Sequence, residues 1–316
     1  MEYGDKPMRL KSKDILGLYD MTAEEIKLIL DSAGTMKQLL AQNAKKMPHL
    51  QGKSIVALFY EDSTRTRLSF ELAAKFLGAT FSNLGVSSSS VKKGETLLDT
   101  GKTIAAMETD VIVIRHPLGG APKFLADNFP GSVINAGDGM HEHPTQALLD
   151  MFTMRERFGR LEGLKVSIIG DIYHSRVARS NVWGLTKMGA HVTLCGPQTL
   201  MPAAIEQMGV NVTCNLEHAL RDADVVMGLR IQRERLQGVF LSTLREYHRY
   251  FGVNEESIRL CEKDVLIMHP GPVNRGVELS SAIMDADNSA INEQVTNGVA
   301  VRMALLYLLT RKDDKR

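Results

Sequence analysis

The chain has 316 residues, with 38 Lys and Arg against 37 Asp and Glu, so its formal net charge at pH 7 is +1. This balance argues against the broad basic surface that non-specific nucleic-acid binding needs. Hydrophobic residues make up 44% and charged residues 24% of the chain, which excludes disordered, collagen-like and disulfide-scaffold classes. At roughly 150 residues per domain, the length predicts about two domains.

Neither the N-terminus nor the cysteines indicate export. No apolar stretch follows a basic start, and no segment reaches the roughly 18 apolar residues of a membrane span. Cys195, Cys214 and Cys261 lie far apart without Cys-x-x-Cys spacing, which argues against a disulfide framework or a thiolate zinc site. We therefore expect a cytoplasmic protein that does not bind membranes.

The first half of the chain alternates helices with short apolar runs. Thr22 and Glu25 form a capping-box pattern ahead of an amphipathic helix. A helix is expected over 64–77 with Ser63 as its cap, and another over 145–158 with Pro144 in its first turn. Buried strands are predicted at 54–60, 110–115 and 132–136.

Beyond 158 the pattern restarts, with one helix expected over about 176–188 and a last one over about 295–309. Strands are predicted at 166–171, 191–195, 224–227 and 265–268. This alternation predicts an α/β fold of two domains, each a mainly parallel sheet flanked by helices. We place the first domain at 1–145, joined by the C-terminal helix 295–316, and the second at 146–294.

One segment has the composition of a phosphate site. Ser63-Thr64-Arg65-Thr66-Arg67 stands where a buried strand gives way to a helix, so hydroxyls, backbone N–H groups and two guanidinium groups would meet at a helix N-terminus. The alternative is a helix cap with solvated arginines. Because no Gly-rich Walker or dinucleotide loop is present, nucleotide phosphates are not specifically indicated.

Arginines also follow the strands of the second half. The turn after Gly170 lacks the further glycines that would let a pyrophosphate approach the backbone, which argues against a dinucleotide fold. Arg176, Arg179 and Arg230 are instead expected at the carboxyl ends of parallel strands, where they suit a carboxylate-bearing substrate. For each arginine taken alone, a surface salt bridge is the favoured explanation.

Other catalytic groups are not indicated. His141-Glu142-His143 has two histidines at i and i+2, but no later histidine has a supporting carboxylate pattern, so no metal site is expected. No Gly-x-Ser-x-Gly elbow occurs, and no cysteine has the partner of a nucleophile. What remains is a site of arginines, hydroxyls and one or two histidines. A site of this composition would act by positioning its substrates and by electrostatic stabilisation.

Several segments resemble signatures of the carbamoyltransferase family. The resemblance covers nearly the whole chain, and its segments are 59–71, 143–146, 90–96, 229–235 and 269–278. The last three resemble the aspartate enzymes, because the ornithine enzymes usually carry His-Cys-Leu-Pro where this chain has His269-Pro270-Gly271-Pro272. Two residues depart from the family's pattern. Asp62 stands where the family often has Pro or Ala, and Tyr173 stands where the family commonly has a basic residue.

The resemblance implies transfer of the carbamoyl group of carbamoyl phosphate to the amino group of L-aspartate, giving N-carbamoyl-L-aspartate and phosphate in de novo pyrimidine biosynthesis. It implies no cofactor and no metal. The first domain would bind carbamoyl phosphate and the second aspartate, with the active site in the interdomain cleft.

Carried over by position, the resemblance implies a set of site residues. Arg65, Thr66, Arg115 and His143 would be catalytic. The contacts to carbamoyl phosphate would be Ser63, Thr64, Arg65, Thr66, Arg115, His143, Gln146, Pro270 and Gly271. The contacts to aspartate would be Lys93, Arg176, Arg230 and Gln232.

The resemblance also implies a homotrimer with shared active sites, in which Ser89 and Lys93 reach the site of a neighbouring subunit. From composition alone, the Ser-rich segment ending at Lys92-Lys93-Gly94 would instead be a mobile surface loop. Association with regulatory chains or with dihydroorotase is left open.

Three competing functions remain at this point. A carbamoyltransferase for ornithine or another amine is disfavoured by Arg176 and Arg230, because Arg230 would repel a cationic side chain. A dinucleotide-dependent oxidoreductase is disfavoured by the absent Gly-x-Gly-x-x-Gly. A catalytically silent protein that senses the same metabolites is disfavoured by the intact residue set.

Overall fold

The computed structural model describes residues 9–42, 47–85, 94–232 and 243–310. The chain divides into two compact units. The first holds the described residues up to Leu148 together with those from Val295 onward, and the second is Leu149–Gln294. Each unit is built on its own parallel sheet, which confirms the predicted α/β fold of two parallel-sheet domains.

In the first unit, four described strands pair in the order β2-β1-β3-β4, and every neighbouring pair is parallel. The elements in chain order are α1 Ala23–Ala41, β1 Ser54–Phe59, α2 Thr64–Phe76, β2 Thr80–Gly85, α3 Leu97–Ala106, β3 Val111–His116, α4 Ala121–Asp127, β4 Ser132–Asp138 and α5 Pro144–Phe158. Residues of α5 from Leu149 onward belong to the second unit.

In the second unit, five described strands pair in the order β7-β6-β5-β8-β9, again all parallel. The elements are β5 Lys165–Ile169, α6 Arg176–Lys187, β6 His191–Cys195, β7 Asn211–Thr213, α7 Leu216–Leu220, β8 Val225–Gly228, α8 Leu244–Phe251, β9 Leu266–Met268 and α9 Ser281–Met284. The last helix, α10 Ile291–Thr310, begins in this unit and continues in the first.

The central strands carry the core of each sheet. Val111, Ile112, Val113 and Ile114 of β3 are fully buried, as expected for a strand covered on both faces. All seven predicted strands are present, and their ends differ from the prediction by no more than two residues. The capping box of Thr22 and Glu25 is also present at the start of α1.

The sequence prediction missed β2 and β7, which lie at the edges of their sheets. Most of β2 is exposed or half-buried, and β7 has only three residues, none of them buried. Edge strands of this kind lack the continuous apolar run that identified the central strands. None of the described helices has the length and apolar character needed to cross a membrane.

Candidate active site

In the first unit, the sheet order brings three predicted segments to the same side of the sheet, where the strands have their carboxyl ends. Strand β3 lies between β1 and β4, and Arg115 is in register with Phe59 at the end of β1. The chain then continues from β1 to Ser63–Thr66 and from β4 to His143. Because the carboxyl ends of parallel strands share one edge, the hydroxyls, the arginines and His143 follow strands that end side by side.

Helix α2 begins at Thr64 with Ser63 at the N-cap position, as predicted. The Ser63 side chain, however, makes no capping hydrogen bond. The first backbone hydrogen bond of the helix runs from the N–H of Arg67 to the carbonyl oxygen of Ser63. Helix geometry leaves the N–H groups of the preceding turn without intrahelical acceptors, and Thr64 and Arg65 are exposed there. This helix start can bind an anion.

Arg115, at the end of β3, forms an ion pair with Glu61 and donates a hydrogen bond to the backbone of Ala136. Its Nε lies 3.3 Å from Oε2 of Glu61 and its Nη1 donates to the carbonyl of Ala136 at 3.3 Å. Both charged side chains are mostly buried, at 16% and 22% exposure, so the pair is less screened than a surface ion pair. Sequence reasoning quoted Glu61 within a motif but gave it no role.

Asp138, the last residue of β4, is a buried acceptor that fixes the loop before His143. Its carboxylate accepts from the N–H of Gly120 at 2.7 Å, from Nδ2 of Asn135 at 2.8 Å and from the N–H of Glu142 at 3.1 Å. Nδ1 of His141 lies 3.0 Å from Oδ2. Burial alone would raise the pKa of Asp138, but these hydrogen bonds outweigh burial and lower the pKa below its usual value.

Glu142 and His141, which stand directly before His143, have partners that give them a structural role. The Glu142 carboxylate is buried and accepts from the backbone N–H groups of Leu18 at 2.8 Å and Tyr19 at 3.2 Å. His143 is buried one residue further on, directly before α5. Among the described residues, no group of three His, Cys, Asp or Glu side chains is arranged to hold a metal ion.

In the second unit, β8 lies between β5 and β9. Of the predicted aspartate contacts, Arg176 follows β5, and Arg230 and Gln232 follow β8. Arg176 is the first residue of α6, is 6% exposed, and stands directly after the helix cap Ser175, whose hydroxyl accepts from the N–H of Ala178. Arg230 follows β8 and is half-buried. The two guanidinium groups therefore belong to segments that leave neighbouring strands at one sheet edge.

Asp171 connects the two arginine-bearing segments. It is fully buried, its Oδ1 lies 2.9 Å from Nδ1 of His174, and its Oδ2 accepts from the N–H of Gln232 at 3.4 Å. Nε2 of Gln232 donates to the carbonyl of His174 at 3.0 Å.

Gly170 permits the close approach of these segments. Its φ is +142°, and a Cβ there would lie 2.7 Å from the carbonyl oxygen of Leu229. No other residue fits this position without displacing the backbone that leads into Arg230. The glycine that the dinucleotide hypothesis would use for a phosphate is thus required by packing.

The segment Pro270–Gly271 after β9 is fastened by a buried polar network. The N–H of His269 donates to Oε1 of Gln294 at 2.9 Å, and Nε2 of Gln294 donates to Oδ1 of Asp150 at 2.8 Å. The other oxygen of Asp150 accepts from Nδ2 of Asn181 at 2.8 Å. Because Asp150 and Asn181 are fully buried, these bonds form away from water and hold the start of the loop.

The predicted residues are thus brought together in two sets, one in each unit. The first set is Ser63, Thr64, Arg65, Thr66, Arg115, His143 and Gln146. The second set is Arg176, Arg230, Gln232, Pro270 and Gly271. The predicted Ser89 and Lys93 lie outside the described residues. The sequence prediction gave no role to Asp138, Asp171 or Glu278. Asp138 ends a strand and the other two lie in loops, and nothing in the sequence marks any of them as a buried carboxylate.

The fold and the two sets define a class of protein: a two-unit parallel α/β protein with arginines and other polar side chains after the carboxyl ends of strands in both sheets. Residues 13–156 match the carbamoyl-phosphate-binding domain of the aspartate/ornithine carbamoyltransferases, and residues 162–309 match their aspartate/ornithine-binding domain. The chain belongs to the aspartate/ornithine carbamoyltransferase family.

Relatives in sequence are close over nearly the full length. The aspartate carbamoyltransferase catalytic subunit of Acetivibrio thermocellus is 66% identical over 306 residues, covering 97% of this chain and 98% of the relative. The corresponding subunit of Ruminiclostridium cellulolyticum is 65% identical over 305 residues, covering 96% of this chain and 97% of the relative.

Solved structures of both branches share the fold. Aspartate transcarbamoylase from Trypanosoma cruzi in complex with carbamoyl phosphate has a TM-score of 0.86 at 31% identity, covering 94% of this chain and 96% of that one. Ornithine carbamoyltransferase from Pyrococcus furiosus also has a TM-score of 0.86, at 30% identity, covering 95% of this chain and 98% of that one. The fold alone therefore does not distinguish the acceptor.

Replacing Asp138 tests its role in the first unit. Asp138→Asn is expected to lower the free energy of unfolding at pH 7 by about 1–3 kcal/mol, because buried donors lose a charged acceptor. Since the folded pKa is lowered, this stability is present above the unfolded pKa of about 3.9 and is lost as the pH falls through the folded value. Urea unfolding at neutral and acid pH measures the difference, which is expected to shrink below about pH 4.

The matched control is Asp127→Asn, which removes an exposed aspartate paired with Lys123 on α4. We expect its stability to stay within about 0.5 kcal/mol of the wild type. Equal stability of the Asp138 and Asp127 variants at pH 7 would contradict the role of Asp138.

Proposed function

We propose that this chain is an aspartate carbamoyltransferase, which transfers the carbamoyl group of carbamoyl phosphate to the amino group of L-aspartate in de novo pyrimidine biosynthesis. The products are N-carbamoyl-L-aspartate and phosphate. The observation that carries the proposal is the placement of Arg176 and Arg230 on segments that leave neighbouring strands of one sheet, since two guanidinium groups suit a dicarboxylate acceptor. Relatives that are 56–66% identical to this chain are named aspartate carbamoyltransferase catalytic subunits.

Carbamoyl phosphate is assigned to the first set of residues. Its phosphate would accept from the N–H groups and hydroxyls at the start of α2 and from the guanidinium groups of Arg65 and Arg115. Residues Ser63, Thr64, Arg65 and Thr66 form this cradle. Exposure of Thr64 and Arg65 supports the assignment, because an incoming anion can reach them.

The carbonyl group is assigned to donors that stabilise developing negative charge. Thr66, Arg115 and His143 would polarise the carbonyl oxygen, while Gln146 and the backbone at Pro270–Gly271 would hold the amino group of carbamoyl phosphate. Glu61 beside Arg115 and Asp138 before His143 support fixed positions for two of these donors. Donors that are fixed in advance need no reorganisation when charge develops, which is the basis of electrostatic catalysis.

The reaction needs no covalent enzyme intermediate. The neutral amine of aspartate attacks the carbonyl carbon, the bond from this carbon to the phosphate oxygen breaks, and the departing phosphate accepts the amine proton. Atoms and charge balance without a dedicated base, and the protein supplies position and electrostatic stabilisation.

Aspartate is assigned to the second set of residues. Arg176 would bind the α-carboxylate, and Arg230 with Gln232 would bind the side-chain carboxylate. Lys93 of a neighbouring subunit would also contact aspartate. The same positive charge disfavours ornithine, because its cationic side chain would be repelled by Arg230.

The proposal extends to a cytoplasmic homotrimer in which Ser89 and Lys93 complete the site of a neighbouring subunit. The relatives are named catalytic subunits, which supports assembly into a larger complex and association with regulatory chains.

Loss of the phosphate contact tests the function. Arg65→Ala is expected to lower the rate of N-carbamoyl-L-aspartate formation by a factor of at least about 10²–10³, the usual effect of removing one stabilising donor. Because Arg65 is exposed, the variant is expected to fold with an unchanged unfolding midpoint. Lys75→Ala, which removes an exposed lysine paired with Glu71 on the same helix, is the control and is expected to retain the wild-type rate. Wild-type turnover by folded Arg65→Ala would refute the assignment.

Mixing variants tests the shared site. Lys93→Ala and Arg65→Ala chains are each expected to be inactive alone and to regain part of the activity when their subunits exchange, because some interfaces then pair two intact contributions. Exchange is verified by native mass spectrometry of differently tagged chains. Verified exchange without any recovered activity would contradict a site shared between subunits.

A further inference from the structure

Glu278 is a buried carboxylate to which the proposed reaction assigns no role. Its side chain is 2% exposed, and it lies in the loop that follows Pro270–Gly271. Two contacts fix its own backbone region: the N–H of Val253 donates to the carbonyl of Glu278 at 2.9 Å, and Nδ1 of His248 lies 3.1 Å from the carbonyl of Val277.

The Glu278 carboxylate joins two segments that are far apart in sequence. Oε1 accepts from the N–H of Ile231 at 2.7 Å and from Nδ2 of Asn274 at 2.6 Å, and Oε2 accepts from the N–H of Asn274 at 2.9 Å. Burial raises the pKa of Glu278, and the hydrogen bonds only partly offset this rise. These three short hydrogen bonds compensate the carboxylate for the hydration that it loses on burial.

Ile231 stands between two of the proposed aspartate contacts. Along the segment, Leu229 and Ile231 are buried while Arg230 and Gln232 are half-buried. This alternation is typical of an extended segment with two faces. The Ile231 side chain packs in a cluster with Leu200 and Tyr247, so both its side chain and its N–H are fixed on the buried face.

The neighbouring positions of this segment are fixed from elsewhere in the unit. The N–H of Leu229 donates to the carbonyl of Ile169 at 2.7 Å, and Gln232 is held by Asp171 and His174. Glu278 adds an anchor at Ile231, the residue directly between Arg230 and Gln232.

We propose that Glu278 is a positioning residue for acceptor recognition: by holding the N–H of Ile231, it presents Arg230 and Gln232 to the side-chain carboxylate of the acceptor. The inference rests on the proposed function and concerns the binding of a dicarboxylate amine. It predicts an effect on the acceptor and little effect on carbamoyl phosphate, which is assigned to other residues.

The test is steady-state kinetics of Glu278→Gln with each substrate varied in turn. Glutamine keeps the volume and one acceptor oxygen, but its amide nitrogen cannot accept the hydrogen bond that the lost oxygen accepted. We expect the KM for aspartate to rise about tenfold or more, with less than about a twofold change in the KM for carbamoyl phosphate. Succinate, which has both carboxylates but no amine, is expected to inhibit more weakly by about the same factor as the rise in KM.

Two further variants make the result decisive. Glu255→Gln is the matched control, because Glu255 is an exposed glutamate of the same unit whose carboxylate accepts from the Ser280 hydroxyl. Both KM values should stay at wild type. Asn274→Ala removes the 2.6 Å bond to Glu278 while leaving the carboxylate in place. It is expected to raise the KM for aspartate about threefold, and it tests the inference should Glu278→Gln fail to fold.

An unchanged KM for aspartate in the folded variants, or an equal rise in both KM values, would overturn the positioning role while leaving the proposed function intact. A wild-type chain that does not carbamoylate aspartate would overturn the proposed function itself, and the positioning role with it.

Discussion

Asp138, Asp171 and Glu278 are buried carboxylates that accept hydrogen bonds from the loops bearing the proposed substrate contacts. A buried carboxylate is tolerated only when donors surround it, and a buried N–H is tolerated only when it has an acceptor. Each carboxylate therefore selects one conformation of the loop beside it. These bonds fix the backbone directly before His143, at Gln232 and directly after Arg230.

Two of these buried carboxylates are satisfied by donors other than the arginines of the proposed site. Among the described residues, the donors to Asp138 and Glu278 are backbone N–H groups, side-chain amides and one histidine. No arginine of the proposed site is needed to satisfy these two carboxylates. Both proposed substrates are anions, so arginines that face them offset a repulsion of charge that would otherwise oppose binding. Under the proposed function, the net charge of +1 would conceal a local concentration of positive charge at the substrate contacts.

The sheets could be predicted from sequence because buried parallel strands appear as continuous apolar runs, as Val111–Ile114 shows. The edge strands β2 and β7 could not, since exposure removes that signal. Ser63 could be predicted as the N-cap residue of α2, but the absence of a capping bond from its hydroxyl could not. The roles of Asp171 and Glu278 could not be predicted, because only the fold brings Glu278 to Ile231 across 47 positions of sequence. The assigned substrate contacts themselves remain predictions.

The choice of acceptor is the central claim, because aspartate and ornithine enzymes share this fold equally well. The most direct measurement gives the wild-type protein carbamoyl phosphate with equimolar L-aspartate and L-ornithine and identifies the product by mass spectrometry. The account predicts N-carbamoyl-L-aspartate in amounts equal to the phosphate released. Carbamoylated ornithine as the main product, or phosphate released without a carbamoylated amino acid, would contradict it.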